Sequence, residues 1–226
     1  MKISPNKEDY IKAIFNLNGA KQIVSNKDIA SELSVSAASV TDMNARLVKE
    51  GLITHSPYKG VQLTEVGIQI ANQLIRKHRI WEVFLYEKLG FQWDEVHEEA
   101  DRLEHASSDK VIERLDQFLN SPTFDPHGGI IPRADGSVKT FKTPRIPLTE
   151  INVGEQFIVL EVPDHDNELL NYLYDKGFSI NNRYRLEAIN TYDGMISIQN
   201  IDSNEDVTIS GKALEKIQVL RLEEDR

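Results

Sequence analysis

The stretch VSNKDIASELSVSAASVTDMNARLVKEGLITHSPYKGVQLTEVG, residues 24–67, decides the fold of the N-terminal third. Ser25 stands where a serine side chain can accept from the open N–H groups of a first helical turn, ahead of Ile29, Ala30 and Leu33. After Ser34-Val35, Ser36 is placed to cap a second helix bearing Val40, Met43 and Leu47. The small polar residues Ser36, Ser39, Thr41, Asp42 and Asn44 are expected on the outward face of that helix. Next come a strand, a turn through Ser56–Gly60, a second strand, and Thr64 at the start of another helix. Two short helices in helix-turn-helix spacing followed by a β-hairpin make a winged helix, a fold that lays its second helix in the major groove of DNA. A generic small α+β domain is the alternative, but order, lengths and surface chemistry agree on the winged helix.

Working outward, Ser4, Pro5, Glu8 and Asp9 open a helix over residues 4–18, with Tyr10, Ile11, Ile14, Phe15 and Leu17 as its apolar stripe. Residues 65–89 read as one long helix or two. Ile68, Ala71, Leu74, Ile75, Trp81, Phe84 and Leu85 supply more apolar surface than one narrow face needs, enough for several neighbours or another subunit. Residues 120–147, rich in Pro, Gly and Ser, read as loop and linker. From Pro147 onward five short strands (EQFIVLEV, RYRLEAI, GMISIQNI, DVTIS, EKIQVLRL) and a brief helix near 167–175 suggest a small SH3-like barrel.

The 226 residues suffice for two or three small domains. No apolar run reaches a membrane-spanning length, and the charged N-terminus lacks the apolar core of a signal peptide, so a cytoplasmic location is expected. Zero cysteines exclude disulfides, thiolate zinc sites and cysteine nucleophiles. The net charge of −10 is uneven: residues 1–76 carry nine Lys/Arg against seven Asp/Glu, and residues 77–226 carry 17 against 29. The first third can therefore approach phosphates while the remainder stays acidic.

Residues 96–111, VHEEADRLEHASSDKV, concentrate donor chemistry. On a helix His97, Asp101, Glu104 and His105 fall within about 100° of arc, with Ala100 and Leu103 turned to the core. His78 and Glu82, four residues apart, share a face of the preceding helix. Imidazole and carboxylate without sulfur suit manganese, iron(II) or magnesium. Two enzymatic readings are weaker. His97–Asp101 matches a zincin HExxH helix only with Asp in the last position, and a di-metal bundle requires paired Glu-x-x-His motifs that are missing.

NKEDYIKAI at the start, the His78/Glu82 pair, HEEADRLEHASSD at 97–109 and DPHGGIIP at 125–132 together resemble the diphtheria-toxin-repressor family of metal-dependent repressors across essentially the whole chain. The resemblance implies a mainly α chain with α+β character: a winged helix-turn-helix over residues 1–73, a helical metal-binding and dimerisation domain over 74–140, a linker at 141–146, and an SH3-like (FeoA-type) domain over 147–226. It implies a primary metal site of Asp9, His78, Asp101, Glu104 and His105. It also implies a second site of Glu82, His97, Asp125 and His127 with a barrel carboxylate, Asp164 in preference to Asp166 or Glu161. Iron-responsive members carry Met at the position of Asp9 and Cys at that of Asp101, so the two acids resemble the manganese branch. A short manganese-sensing relative has Glu at the position of Lys12, and three-domain relatives often have Cys at that of Asp125.

The expectation is a homodimeric, Mn²⁺-dependent repressor of metal-uptake genes, with Fe²⁺ or other divalent transition metals as substitutes. It has no membrane partner and no organic substrate, and it is not an enzyme. Ser36, Ala37, Ala38, Ser39, Thr41 and Asp42 would face the groove of a double-stranded operator, and Lys27, Arg46, Lys49 and Lys59 its phosphates. The alternatives are an iron(II)-responsive regulator of the same fold, a metal-independent winged-helix regulator sensing a small molecule, and a carboxylate/histidine metalloenzyme.

Overall fold

A computed structural model describes residues 3–139, 144–163 and 166–222, with the backbone alone at Asn167. Residues 141–143 of the expected linker, and Asp164 and His165, lie outside the described residues. The chain divides into two compact units, residues 1–78, 103–113 and 132–139 in the first and residues 79–102, 114–131 and 140–226 in the second.

The first unit holds α1 (Pro5–Asn16), α2 (Asn26–Glu32), α3 (Ala37–Lys49), the hairpin β1 (Ile53–Ser56) and β2 (Gly60–Leu63), and the start of α4 (Glu65–Leu89). Pro5 occupies the first turn of α1, while Ser4 makes no side-chain cap bond. Ser25 and Ser36 do cap, accepting from the Asp28 and Ser39 amides at 3.1 Å each. Ile11, Ile14, Ile29, Val40, Leu47, Leu52 and Val61 form the fully buried centre, and each such side chain contributes about 1.5–3 kcal/mol by leaving water.

Asn44, expected on the outward face of α3, is instead 4% exposed, and its amide donates to Asn26 Oδ1 at 3.0 Å. It stands four residues after Val40 and three before Leu47, so helical geometry puts it in the buried stripe, where its amide ties α3 to α2.

In the wing, Ile53 pairs with Leu63 and Ser56 with Gly60, and Val24 adds one bridge to Val61. Gly60 has φ +136°, and a Cβ there would lie 1.9 Å from the Val24 carbonyl oxygen. Only glycine permits that approach.

Helices α4, α5 (Val96–Glu104) and α6 (Asp109–Phe118) each contribute residues to both units. Residues 65–89 form one uninterrupted 25-residue helix. Ser108 caps α6 weakly, its Oγ 3.4 Å from the Val111 amide.

The second unit also contains a six-stranded antiparallel sheet in the order β3-β8-β4-β5-β6-β7. Its strands are β3 (Ile146–Pro147), β4 (Gln156–Glu161), β5 (Arg183–Ile189), β6 (Ile196–Asn200), β7 (Glu205–Ile209) and β8 (Gln218–Arg221). The helix α7 (Asn167–Asp175) falls where expected, and a short α8 (Gly211–Leu214) precedes β8. The five expected strands are present. The sixth, β3, escapes sequence reading because two residues ending in proline give no alternation. Bulges at Val159/Glu161 and Leu186/Ala188 sharpen the twist of the sheet over a core built on Phe157, Tyr184 and Phe178. Those rings stack with centroids 5.8 and 5.1 Å apart. No helix among the described residues is long and apolar enough to cross a membrane.

Candidate metal centres and DNA-binding face

In the first unit, α1 presents Glu8, Asp9 and Lys12 beside His78 of α4 and the pair Glu104-His105 at the end of α5. Glu104 is almost fully buried, with His78 Nδ1 at 2.7 Å from its Oε2 and Lys12 Nζ at 2.6 Å from its Oε1. His105 lies between carboxylates: Nδ1 is 2.7 Å from Glu8 Oε2, and Nε2 is 3.1 Å from Asp9 Oδ1 and 3.6 Å from Glu104 Oε1.

Burial alone would raise the Glu104 carboxyl, but His78 and then Lys12 hold it below its ordinary value. Burial works against a charged His105 ring, yet the hydrogen bond to Glu8 and the charges of Glu104, Asp9 and Glu8 hold its pKa above the ordinary imidazole value. Asp101 is exposed on α5, one helical turn before Glu104 and His105. Of the expected primary residues, the first unit thus gathers Asp9, His78, Glu104 and His105. It adds Glu8 and Lys12, which the sequence reading left outside the ligand set although both lie within about 100° of arc of Asp9 on α1.

In the second unit, Glu82, Asp125 and His127 are buried and offer ligand atoms all within 4.8 Å of one another. Glu82 Oε1 is 3.4 Å from His97 Nδ1 and 3.6 Å from His127 Nδ1. His127 Nε2 lies 2.6 Å from the Trp93 carbonyl oxygen, which can only accept, so the proton sits on Nε2. The Nδ1 lone pair of a neutral ring then points to the Glu82 side, the arrangement of a metal-binding histidine oriented by a carbonyl.

Asp125 is held differently. Its Oδ1 accepts from the amides of His127 (2.8 Å) and Gly129 (2.9 Å), and its Oδ2 is 2.9 Å from Arg79 Nε. The glycine pair of the loop has a steric reason. A Cβ on Gly128 would sit 1.7 Å from the Leu160 carbonyl oxygen, and one on Gly129 would sit 2.3 Å from Asp125 Oδ2. Of the carboxylates considered beside Asp164, Glu161 pairs with Arg145 and Asp166 caps α7 while pairing with Lys216.

The donor chemistry of both clusters, imidazole nitrogen and carboxylate oxygen, fits a hard to borderline divalent transition metal. Residues Glu82, His97 and His127 fit as ligands of the second cluster. Asp125 fits better as the clamp of its loop, because amides and a guanidinium already engage both oxygens.

Of the residues expected at DNA, Ser36, Ala37, Ala38, Ser39, Thr41, Asp42, Lys27, Arg46, Lys49 and Lys59 are all exposed. The Ser36 hydroxyl is engaged as a cap and the Thr41 hydroxyl donates to the Ala37 carbonyl at 2.9 Å. Both therefore offer shape more than free hydrogen-bonding groups. Tyr58, fully exposed at the wing tip beside Lys59, was not singled out from sequence.

A winged helix joined to acid–imidazole clusters defines a metal-dependent DNA-binding regulator. The chain matches three family models: iron dependent repressor, N-terminal DNA binding domain (residues 2–61); iron dependent repressor, metal binding and dimerisation domain (64–133); and FeoA domain (146–221). The iron-dependent repressor IdeR of Mycobacterium bovis is 31% identical over 225 residues, covering 94% of this chain and 95% of the relative. The diphtheria toxin repressor of Corynebacterium efficiens is 27% identical over 84% of this chain and 88% of its own length.

Among solved structures, a manganese-dependent transcriptional repressor in complex with manganese superposes with TM-score 0.86 at 36% identity, over 96% of this chain and all of that one. The manganese regulator SloR superposes with TM-score 0.79 at 35% identity, over 97% of this chain and all of that one. The chain belongs to the diphtheria toxin repressor family and is a metal-dependent transcriptional repressor of that family, as its motifs suggested. The family is one of operator-binding, dimerising repressors and not of enzymes.

Proposed function

We propose that this repressor acts in the cytoplasm as a homodimer, responds to Mn²⁺, and controls metal-ion uptake genes through a palindromic operator. The proposed division of labour is DNA binding by residues 1–73, metal binding and dimerisation by 74–140, a linker at 141–146 and an accessory SH3-like domain over 147–226. The observation that carries the reading is the contact between His105 and the α1 acids Glu8 and Asp9, nearly a hundred residues earlier in the chain. Asp9, His78, Glu104 and His105, with Asp101, would hold an ion that links the first helix of the winged helix to α4 and α5. A second ion would be held by Glu82, His97 and His127, with Asp125 setting their loop and Asp164 a candidate further ligand.

Bound at the first cluster, a divalent cation would add positive charge to what Lys12 and His105 bring to its carboxylates. Without the ion, only Lys12 and His105 offset the mutual repulsion of Glu8, Asp9 and Glu104, and α1 would be held less firmly. Relieved of repulsion, Asp9 and His105 fix α1, and metal and operator affinities become reciprocally linked. Moving such an equilibrium from 1:99 to 99:1 takes about 5.5 kcal/mol of differential affinity. In the dimer, two copies of α3 would read half-sites about 34–36 Å apart, or a multiple of that spacing. Ser36, Ala37, Ala38, Ser39, Thr41 and Asp42 would lie at the groove, with Lys27, Arg46, Lys49 and Lys59 at phosphates.

Manganese is supported by the oxygen-rich donor set and by the manganese-dependent repressors among the structural neighbours. Iron(II) is the second reading, favoured by the iron-dependent relatives. DNA-binding anisotropy on a manganese-transport promoter fragment separates the readings. Binding is expected with Mn²⁺ and lost with chelator or with Mg²⁺ alone. Equal binding in every condition would sink metal dependence, and activation by anaerobic Fe²⁺ but not Mn²⁺ would transfer the reading to iron.

A further inference from the structure

We infer that Lys12 is a resident cation of the first cluster, and that a divalent ion binds there in competition with its ammonium group for Glu104. The inference rests on the metal-sensing reading above and concerns a residue outside the ligand set.

Glu8, Asp9 and Lys12 stand at positions i, i+1 and i+4 of α1 and so fall within about 100° of arc, with Lys12 between the two acids. Lys12 reaches Glu104, 92 positions away in sequence, with Nζ 2.6 Å from Oε1. That same oxygen is the one nearest His105, whose Nε2 is 3.6 Å away. The Lys12 side chain is only 15% exposed and that of Glu104 1%, so the pair is little screened by solvent salt.

A lysine ammonium is a compact point charge on a flexible four-carbon stem, able to hold a carboxylate and to withdraw from it. The carboxylates of Glu8, Asp9 and Glu104 outnumber the Lys12 ammonium and a charged His105, so the cluster keeps negative charge to offer a divalent ion. Lys12 therefore does two things. It keeps Glu104 engaged when metal is scarce, and it sets a concentration threshold, because a dication approaching Glu104 meets a positive charge already in place. An arginine could supply the same charge; a neutral side chain could not.

The test is calorimetric titration of Mn²⁺ alone into the full chain, with wild type, Lys12→Gln and Lys12→Arg compared at fixed pH. Lys12→Gln is expected to tighten one binding phase by roughly tenfold or more, from the removal of one nearby positive charge. Lys12→Arg is expected to stay close to wild type, and the other phase to stay unchanged in both. A second measurement uses the wild type alone. In lysine-¹⁵N-labelled protein, saturating diamagnetic Zn²⁺ should abolish the hydrogen-bonded Lys12 ammonium resonance.

Lys12→Gln binding Mn²⁺ as wild type does, or more weakly, makes Lys12 a structural pin and overturns the inference. Persistence of the ammonium resonance at saturation overturns it equally, even if the glutamine variant fails to fold. A wild type that takes up no Mn²⁺ ends both this inference and the reading beneath it, whereas an isotherm unmoved by Lys12→Gln ends this inference alone.

Discussion

The two acid–histidine clusters use the same side-chain types but are built differently. The first draws on α1, on the middle of α4 and on the end of α5, with Asp9 and His105 half-buried and a lysine among them. The second takes Glu82 from α4 and His97 from α5 but adds His127 from a loop whose backbone is pinned: Asp125 clamps two amides and Arg79, Gly128 passes against Leu160, and the His127 carbonyl accepts from the Val162 amide at 3.0 Å. A cluster whose members come from separate helices can tighten or loosen as those helices shift. A cluster with one ligand held on a cross-braced loop has less freedom to do so. The contrast suggests that the first cluster senses and the second stabilises, since low-stability elements are where switching is possible.

The sharpest way to break this contrast is at Asp125. Its replacement by Ala leaves the Arg79 guanidinium without its carboxylate and two loop amides without an acceptor. A loss of about 3 kcal/mol in urea unfolding is expected. A loss below about 1 kcal/mol would show that the loop does not depend on the clamp.

Asp9→Ala should do the reverse. Stability in chelator should stay within about 1 kcal/mol of wild type, while Mn²⁺-dependent operator affinity drops by about 100-fold in anisotropy. Retained metal-dependent binding would remove the first cluster from its sensing role. His127→Ala, by calorimetry, is expected to weaken the second Mn²⁺ phase by about tenfold or more and to leave the first phase alone. If both phases move together, the clusters are not separable. Smallest is Lys59→Ala on the wing. Operator affinity should fall modestly, and the slope of log affinity against log salt should shrink by about 0.9, one phosphate contact. An unchanged slope would take Lys59 off the phosphate backbone.

What could be read from sequence follows the same division. The winged helix was legible because its caps, apolar spacings and turn residues are local, and α7 was legible for the same reason. His78, Glu82, His97, Asp101, Glu104 and His105 stood out because histidines and acids at helical spacing share a face, whereas Asp9, Asp125 and His127 came only from the family resemblance. Illegible were the partners that cross the chain: Glu8 at His105, Lys12 at Glu104, and Arg79 at Asp125. Nothing in local periodicity marks an ion pair that spans ninety residues. Asn44 was misplaced by residue type although its spacing from Val40 and Leu47 put it inside, so periodicity was the better guide. The strand β3 was too short to carry a pattern at all.

The bridge between Val24 and Val61, closed by amide–carbonyl bonds of 2.8 and 2.9 Å in each direction, has a consequence for how sequence is discriminated. It locks the wing to the segment that leads into α2, and Asn44–Asn26 locks α2 to α3. On the proposed DNA-binding face, the wing tip at Tyr58-Lys59 and the exposed start of α3 would act as the two jaws of a gauge. A duplex bound across them would adapt its groove width to the span they set, and base steps that bend easily would be favoured at positions no side chain reaches. Part of this repressor's choice of operator would then reside in the elasticity of the DNA.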